Sequence, residues 1–145
     1  MTVSIYIYTD IKGPRRKAGT AMYVLEAVHE DKTVTRTGMI HLENATATEA
    51  ELRALRMASE RFTKSCSVQV FTKCGGIFAA YKNGWLNRWR ENGWKNAKGE
   101  PVAHTEDWQA IDRILGDRVE VHLDEEHTYR SWMEAEVRRW NTSKQ

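Results

Sequence analysis

The period of the hydrophobic residues changes once, near residue 47, and that change does most to narrow the folds open to this chain. Before it, three stretches alternate with a period of two. Residues 3–9 read VSIYIYT, β-branched and aromatic side chains spaced to fall alternately on the two faces of a pleated strand. Residues 20–28 and 33–41 repeat the pattern, and the short polar link from Glu30 to Lys32 suits an antiparallel hairpin. From Thr48 onward Leu52, Leu55, Ala58 and Phe62 fall at helical spacing among good helix formers. Residues 68–72 form a short apolar run of the kind that fits a buried strand. Residues 75–116 read as helices separated by turns at Asn83-Gly84, Asn92-Gly93 and Lys98-Gly99-Glu100-Pro101, with Trp108, Ile111, Ile114 and Leu115 giving the last an apolar face. Residues 119–123 predict a final strand and 131–140 a final helix. This order is mixed α/β: an antiparallel extension joined to a parallel part, whose crossovers must be helical.

The length of 145 residues is that of one ordinary domain, and no internal repeat, low-complexity tract or linker divides residues 1–145. A chain of this size buries about two thirds of its unfolded surface without help from disulfides or a structural metal. Hydrophobic residues make up 41% and charged residues 29%, which suits a globular fold and argues against extensive disorder. No tract approaches the roughly 20 apolar residues that span a bilayer, and the apolar residues 3–8 lack the basic start and cleavage site of a secretion signal. The expectation is a cytoplasmic protein without a membrane partner. Cys66 and Cys74 are the only cysteines and have no CxxC spacing, so they read as reduced thiols rather than a disulfide or zinc site.

A net charge of +2 does not by itself imply a polyanionic partner, but the charges are unevenly placed. Lys12, Arg15, Arg16 and Lys17 form one basic cluster. Lys82, Arg88, Arg90, Lys95 and Lys98 form a second, which contains only Glu91 as an opposing charge, whereas residues 117–126 are mostly acidic. Such clusters commonly mark no more than a solvated face. In the second cluster, however, Trp85, Trp89 and Trp94 alternate with the cations, pairing aromatic stacking or sugar contact with phosphate-binding charge. The competing reading is that Trp85 and Trp89, on one helical face, pack inward.

The order of elements, together with IYIYTD, ATATEAELRAL and NGWLNRWRENGWKNAKGEPVAHTEDWQAID, resembles ribonuclease H of type 1 over nearly the whole chain. The resemblance implies a ribonuclease H-like α/β fold: a five-stranded mixed sheet with helices on both faces. It makes the Trp-rich stretch the basic handle that grips an RNA/DNA hybrid. It also implies four carboxylates holding two Mg²⁺ ions, which activate a water and stabilise the leaving oxygen of a phosphodiester. Hard divalent cations require oxygen ligands, and two metals about 4 Å apart clamp both the attacking and the leaving oxygen.

Asp10, ending the first strand, matches the first carboxylate, and Glu51, in the first helix, the second. Glu51 has a purely structural alternative, because Thr48 and Glu51 also fit a capping box. The third position, ending VQVFTKCGG, is Lys73. An ammonium cannot ligate Mg²⁺. At about 4 Å and an effective dielectric near 20, it attracts a carboxylate by roughly 4 kcal/mol, so a salt bridge to Asp10 or Glu51 is expected in place of a metal. Glu134 is the candidate for the fourth carboxylate, with Glu126 and Glu136 as other registers. His127 falls where relatives carry a loop histidine thought to assist product release, and a loop histidine is also often simply exposed.

Ile11 and Lys12 replace the small residues that usually follow the first Asp, and Ala47 and Thr48 replace the paired Asn that touch the RNA minor groove. The catalytic candidates are thus Asp10, Glu51, Lys73, Glu134 and His127, with Asp10, Glu51 and Glu134 as metal ligands. The nucleic-acid-binding candidates are Lys12, Thr48, Trp85, Arg88, Trp89, Arg90, Trp94 and Lys95. The expected function is binding of RNA/DNA hybrid or duplex with two-metal hydrolysis impaired or lost. Two other readings remain open: a hybrid nuclease using Mg²⁺ or Mn²⁺ through a rearranged carboxylate set that draws in Asp124, and a protein-interaction domain that reuses the fold.

Overall fold

The computed structural model describes residues 2–64 and 66–143. Three strands, β1 (Thr2–Thr9), β2 (Lys17–His29) and β3 (Lys32–Ala45), come first, as the alternation predicts. They are followed by α1 (Ala47–Ser59), β4 (Ser67–Thr72), α2 (Gly75–Lys82), α3 (Trp85–Glu91), α4 (Thr105–Leu115), β5 (Val119–Leu123) and α5 (Arg130–Ser143). The strands form one sheet in the order β3-β2-β1-β4-β5. β1, β2 and β3 pair antiparallel, and β4 pairs parallel to both β1 and β5. The hairpin strands run further than the alternation alone marked, because β2 and β3 stay in register from His29↔Lys32 to Gly19↔Leu42, and a bulge then carries the pairing on to Lys17↔Ala45.

Both faces of the sheet are covered. On one, Val3, Ile5 and Ile7 of β1 pack with Val68 and Val70 of β4 against Leu52 and Leu55 of α1 and Ile111 and Leu115 of α4. On the other, Tyr6, Met22 and Val24 meet Met133 and Val137 of α5. The two faces of β1 thus carry the two cores, as a period of two requires of a central strand. Helix α1 ends at Ser59, so Phe62 packs against the core from the loop beyond it.

The helix start also differs from the sequence reading. Thr46 is the N-cap, its hydroxyl accepting from the Glu49 amide, and the Glu49 carboxylate binds Arg16 through both oxygens. Thr48 and Glu51 therefore do not form a capping box. Among the described residues no helix is long and apolar enough to cross a membrane.

Candidate functional site

In a parallel pair of strands, ligands are met beyond the carboxyl ends, where loops diverge and the backbone leaves its ladder. The ends of β1 and β4 fit this rule. Beyond them lies a cavity of about 190 Å³. Lys12, Glu51, Lys73, His127 and Arg130 line it, together with apolar side chains such as Ile7 and Phe71.

Glu51 forms part of the wall of this cavity and is only 5% exposed. Its Oε1 accepts from the Thr72 hydroxyl at 2.7 Å and from the Lys73 backbone amide at 3.2 Å. Burial pushes its pKa up, the two hydrogen bonds and the positive charges of Lys12 and Lys73 acting against that rise. The free energy that removes a carboxylate from water is thus only partly returned by its partners.

Lys73 reaches Glu51 through its backbone, and the expected salt bridge is not formed. Its side chain is exposed and makes no ion pair among the described residues. The reason is geometric. Lys73 follows the end of β4, where its exposed side chain lies on the rim of the same cavity as Glu51 without closing on that carboxylate, which is already hydrogen-bonded to Thr72. There it acts on His127, whose pKa is lowered first by burial and then by Arg130 and Lys73. His127 accepts from the Tyr129 amide through Nδ1 and packs against Tyr6, ring centroids 4.7 Å apart. It is a half-buried ring rather than a free loop side chain.

Asp10 directly follows β1, yet it does not line the cavity. Its Oδ1 accepts from the Thr20 amide at 2.8 Å and its Oδ2 from the Asn141 side-chain amide at 2.7 Å. Asn141 also accepts from the Thr20 hydroxyl, closing a triangle among β1, β2 and α5. Gly19 makes room for it: a β-carbon there would sit 2.4 Å from Ile11 and 2.7 Å from Asp10 Oδ1.

The α5 residue that meets Asp10 is therefore Asn141 and not Glu134. Glu134 lies seven positions earlier, about 10 Å along the helix, where its charge, with that of Asp10, bears on Tyr8. Glu126 pairs with Arg130 and Glu136 with Arg139, so neither fills the fourth position. Asp124 is also engaged by Arg130.

Among the described residues no three His, Cys, Asp or Glu side chains come together in a way that could hold a metal ion. The donor set does not fit a pair of Mg²⁺ ions. One carboxylate is tied to backbone and amide donors, one is buried against a hydroxyl, and the third position carries a cation.

The Trp-rich stretch folds as α3 and the turn after it. Trp85 and Trp89 of α3 and Trp94 in the turn after it form a chain of rings with centroids 6.2 and 6.1 Å apart, and Trp89 lies 5.6 Å from Trp108. All three are half-buried against the core. They are first of all packing that ties this stretch to the core.

Arg88, Lys95 and Lys98 are exposed around them. Arg90 is not available to phosphate, because its guanidinium binds both oxygens of Asp112 at 2.8 and 2.9 Å and Asp117 at 2.6 Å. Thr48 is partly buried, its hydroxyl 3.7 Å from Cys74 Sγ. Both cysteines are free.

Sequence reasoning missed Asn141, Thr20, Thr72 and Gly19. Thr72 and Gly19 had signals of a sort, a polar residue inside a buried strand and a glycine beside the first carboxylate. Asn141 had none beyond sharing a helical face with Glu134.

Comparison with known proteins agrees with this architecture. The sequence pattern of the family described as RNase H matches residues 2–128. The ribonuclease H of Clostridium botulinum (strain Hall) is 26% identical over 136 residues, which is 87% of this chain and 89% of that protein. That of Chlorobaculum parvum is 31% identical over 86 residues, 55% of this chain and 59% of that protein. That of Thermus thermophilus is 32% identical over 79 residues, 54% and 48% of the two. The chain spans about half the length of these last two relatives.

Among solved structures, LC9-RNase H1, a type 1 RNase H with the type 2 active-site motif, superposes with a TM-score of 0.66 at 20% identity, covering 88% of this chain and 64% of that one. The PFV RNase H domain gives 0.65 at 20%, covering 95% and 89%. LC11-RNase H1 in complex with RNA/DNA hybrid gives 0.55 at 16%, covering 84% and 86%. At these identities the likeness is one of fold.

Proposed function

We propose that this chain, which belongs to the ribonuclease H family, is a nucleic-acid-binding module for RNA/DNA hybrid or duplex in which two-metal phosphodiester hydrolysis is lost. The observation that carries this reading is the state of the centre beyond β1 and β4. Lys73 stands where a third carboxylate would be, and Asp10 is turned to Thr20 and Asn141. Mg²⁺, in the family, supplies the activated water and the stabilised leaving oxygen. The residues present offer it no clustered oxygen donors.

The binding half of the reading rests on the handle. Arg88, Lys95 and Lys98 are exposed cations without an ion pair among the described residues, mounted on a packed tryptophan base that keeps them on one rigid surface. Such charges bind phosphates by releasing condensed counterions, without reading sequence. Arg90 contributes indirectly, by fixing α3 to Asp112 of α4 and to Asp117. The neighbouring LC11-RNase H1 is known in complex with RNA/DNA hybrid, which makes hybrid the first ligand to try. Ala47 and Thr48 at the helix start leave duplex as an equal candidate, because amide contacts to 2′-hydroxyls are missing there.

The test is to incubate the pure protein with labelled RNA/DNA hybrid and with duplex DNA, in Mg²⁺ and then in Mn²⁺, reading retention and cleavage together. Binding without cleavage is the expected result. Metal-dependent cleavage that disappears in Asp10→Asn would overturn the loss of hydrolysis, and absence of binding to every nucleic acid would overturn the module itself.

A further inference from the structure

The cavity beyond β1 and β4 is where the family fold would hold divalent cations, and in this chain the positive charge there belongs to side chains. Lys12 follows β1 and Lys73 follows β4, so two ammonium groups rise from adjacent parallel strand ends on the rim of one cavity. Neither makes an ion pair among the described residues. Lys12 Nζ lies 3.4 Å from the Thr9 carbonyl and 5.3 Å from the centre of the Tyr8 ring, contacts that place it while leaving donors free. Lys73 is held from below, its backbone amide fixed by Glu51.

The other charges at the rim are already matched. Arg130 pairs with Asp124 and Glu126, and Glu125 with His122. Glu51 is buried and hydrogen-bonded to Thr72, so it presents little charge to the mouth of the cavity. What remains unmatched and facing solvent is the pair of lysines, with the His127 ring beside them.

We infer that Lys12 and Lys73 form a phosphate-binding cradle that takes over, with two ammonium groups, the contact a metal pair would make to a phosphate oxyanion. The inference rests on the nucleic-acid-binding reading above and deepens it, since it assigns the former reaction centre a part in holding the ligand. Lysine suits this role because its ammonium is a compact charge with three donors that needs no fixed coordination geometry. A cleavage centre must align water, phosphorus and leaving group, whereas a cradle need only offset the charge on the oxygens. Two unpaired cations in a recess achieve that without ordering a water. The oxyanion can belong to the backbone of a bound strand or to a free phosphate, and the experiment separates these sources.

The affinity of the protein for a short RNA/DNA hybrid is measured from low to moderate salt for the wild type, Lys12→Gln, Lys73→Gln and the double variant. Lys32→Gln, at the opposite end of the sheet, serves as control, and Lys12→Arg and Lys73→Arg check that charge is what matters. Each lost contact is expected to flatten the double-logarithmic salt dependence by about 0.7 to 0.9, with the control and the Arg variants at the wild-type slope. In parallel, the side-chain ammonium resonances of ¹⁵N-labelled lysines are followed on adding hybrid or inorganic phosphate. Shifts at Lys12 and Lys73 with hybrid alone identify a strand phosphate, and shifts with both ligands a general phosphate site. Both results support the cradle.

If Arg88→Ala and Lys95→Ala flatten the slope while Lys12→Gln and Lys73→Gln leave it unchanged, the cradle is wrong and the nucleic-acid reading stands. If the wild type binds no hybrid and phosphate shifts neither lysine, both fall.

Discussion

The side-chain amide of Asn141 donates to Oδ2 of Asp10 at 2.7 Å, joining the end of the first strand to the end of the last helix across 131 positions of sequence. The fold thus delivers α5 to the first carboxylate, and the residue delivered is an amide. Asn141→Asp alone should destabilise the protein by about 1–3 kcal/mol, because a donor is replaced by a second anion against Asp10. Combined with Lys73→Asp, which removes the cation and adds a fourth carboxylate to those of Asp10, Glu51 and the Asn141→Asp substitution, it should create a divalent-metal site. At metal roughly 100-fold above its dissociation constant, binding stabilises by about 2.7 kcal/mol, which thermal melting with and without Mn²⁺ would read. A melting temperature of the double variant indifferent to Mn²⁺ and Mg²⁺ would show that Asn141 and Lys73 are not the positions that separate this centre from a metal-binding one.

Glu51 makes a prediction about pH. Burial raises its folded pKa above the ordinary carboxylate value of about 4.3. Between that value and the raised one, the folded state holds a proton that the unfolded state has lost, so stability falls as pH climbs through the window. Glu51→Gln keeps an acceptor for Thr72 and Lys73 but cannot ionise. The wild type should therefore lose stability relative to Glu51→Gln as pH rises through the window, and the difference should level off above it. Urea unfolding of both proteins at several pH values checks the sign. A wild type that gains on the variant with rising pH would mean that Lys12 and Lys73 outweigh burial.

The handle residues should divide into two groups. Arg88→Ala and Lys95→Ala should leave stability within about 0.5 kcal/mol of wild type, as exposed side chains do, and should flatten the salt dependence of binding. Arg90→Ala removes charge-assisted bonds to Asp112 and Asp117 and should cost about 1–3 kcal/mol in stability. Denaturant melts beside salt-dependent binding curves separate the two effects. Equal loss of stability in all three variants would contradict the division.

Gly19→Ala should disturb the centre without changing any charge. The added carbon would meet the Ile11 side chain at 2.4 Å and Asp10 Oδ1 at 2.7 Å, an overpacking worth about 1–3 kcal/mol. Ile11 is buried, so it and Asp10 must both give way, and the Asn141 side-chain amide should shift in a ¹H–¹⁵N spectrum. A variant as stable as wild type, with that signal unmoved, would show that β2 can yield at Gly19.

The class of fold and the order of its elements are written in consecutive residues. Alternation in β1 through β3 and helical spacing in α1 and α4 are local patterns, and the side chains they put on a common face must be buried together. That is why the five strands and the helices between them were legible in the chain, whereas Asp10, Glu51 and Lys73 were singled out only by the resemblance to ribonuclease H.

The partners of those side chains depend instead on contacts between distant segments. Thr48 and Glu51 have capping-box spacing, yet α1 is capped at Thr46, and Glu51 becomes a buried acceptor for Thr72. Arg90 reads as one basic residue among several, until the packing of α3 beside α4 brings Asp112 to it. Lys73 was expected to reach a carboxylate with its ammonium and does so with its amide, because β4 ends at Thr72 and the turn that follows aims the Lys73 N–H at Glu51. Helical period places Glu134 and Asn141 on the same side of α5, but which of them meets Asp10 depends on how far the helix slides along the sheet. That offset is set by how Met133 and Val137 pack against Tyr6, Met22 and Val24, a long-range fit that no local pattern encodes.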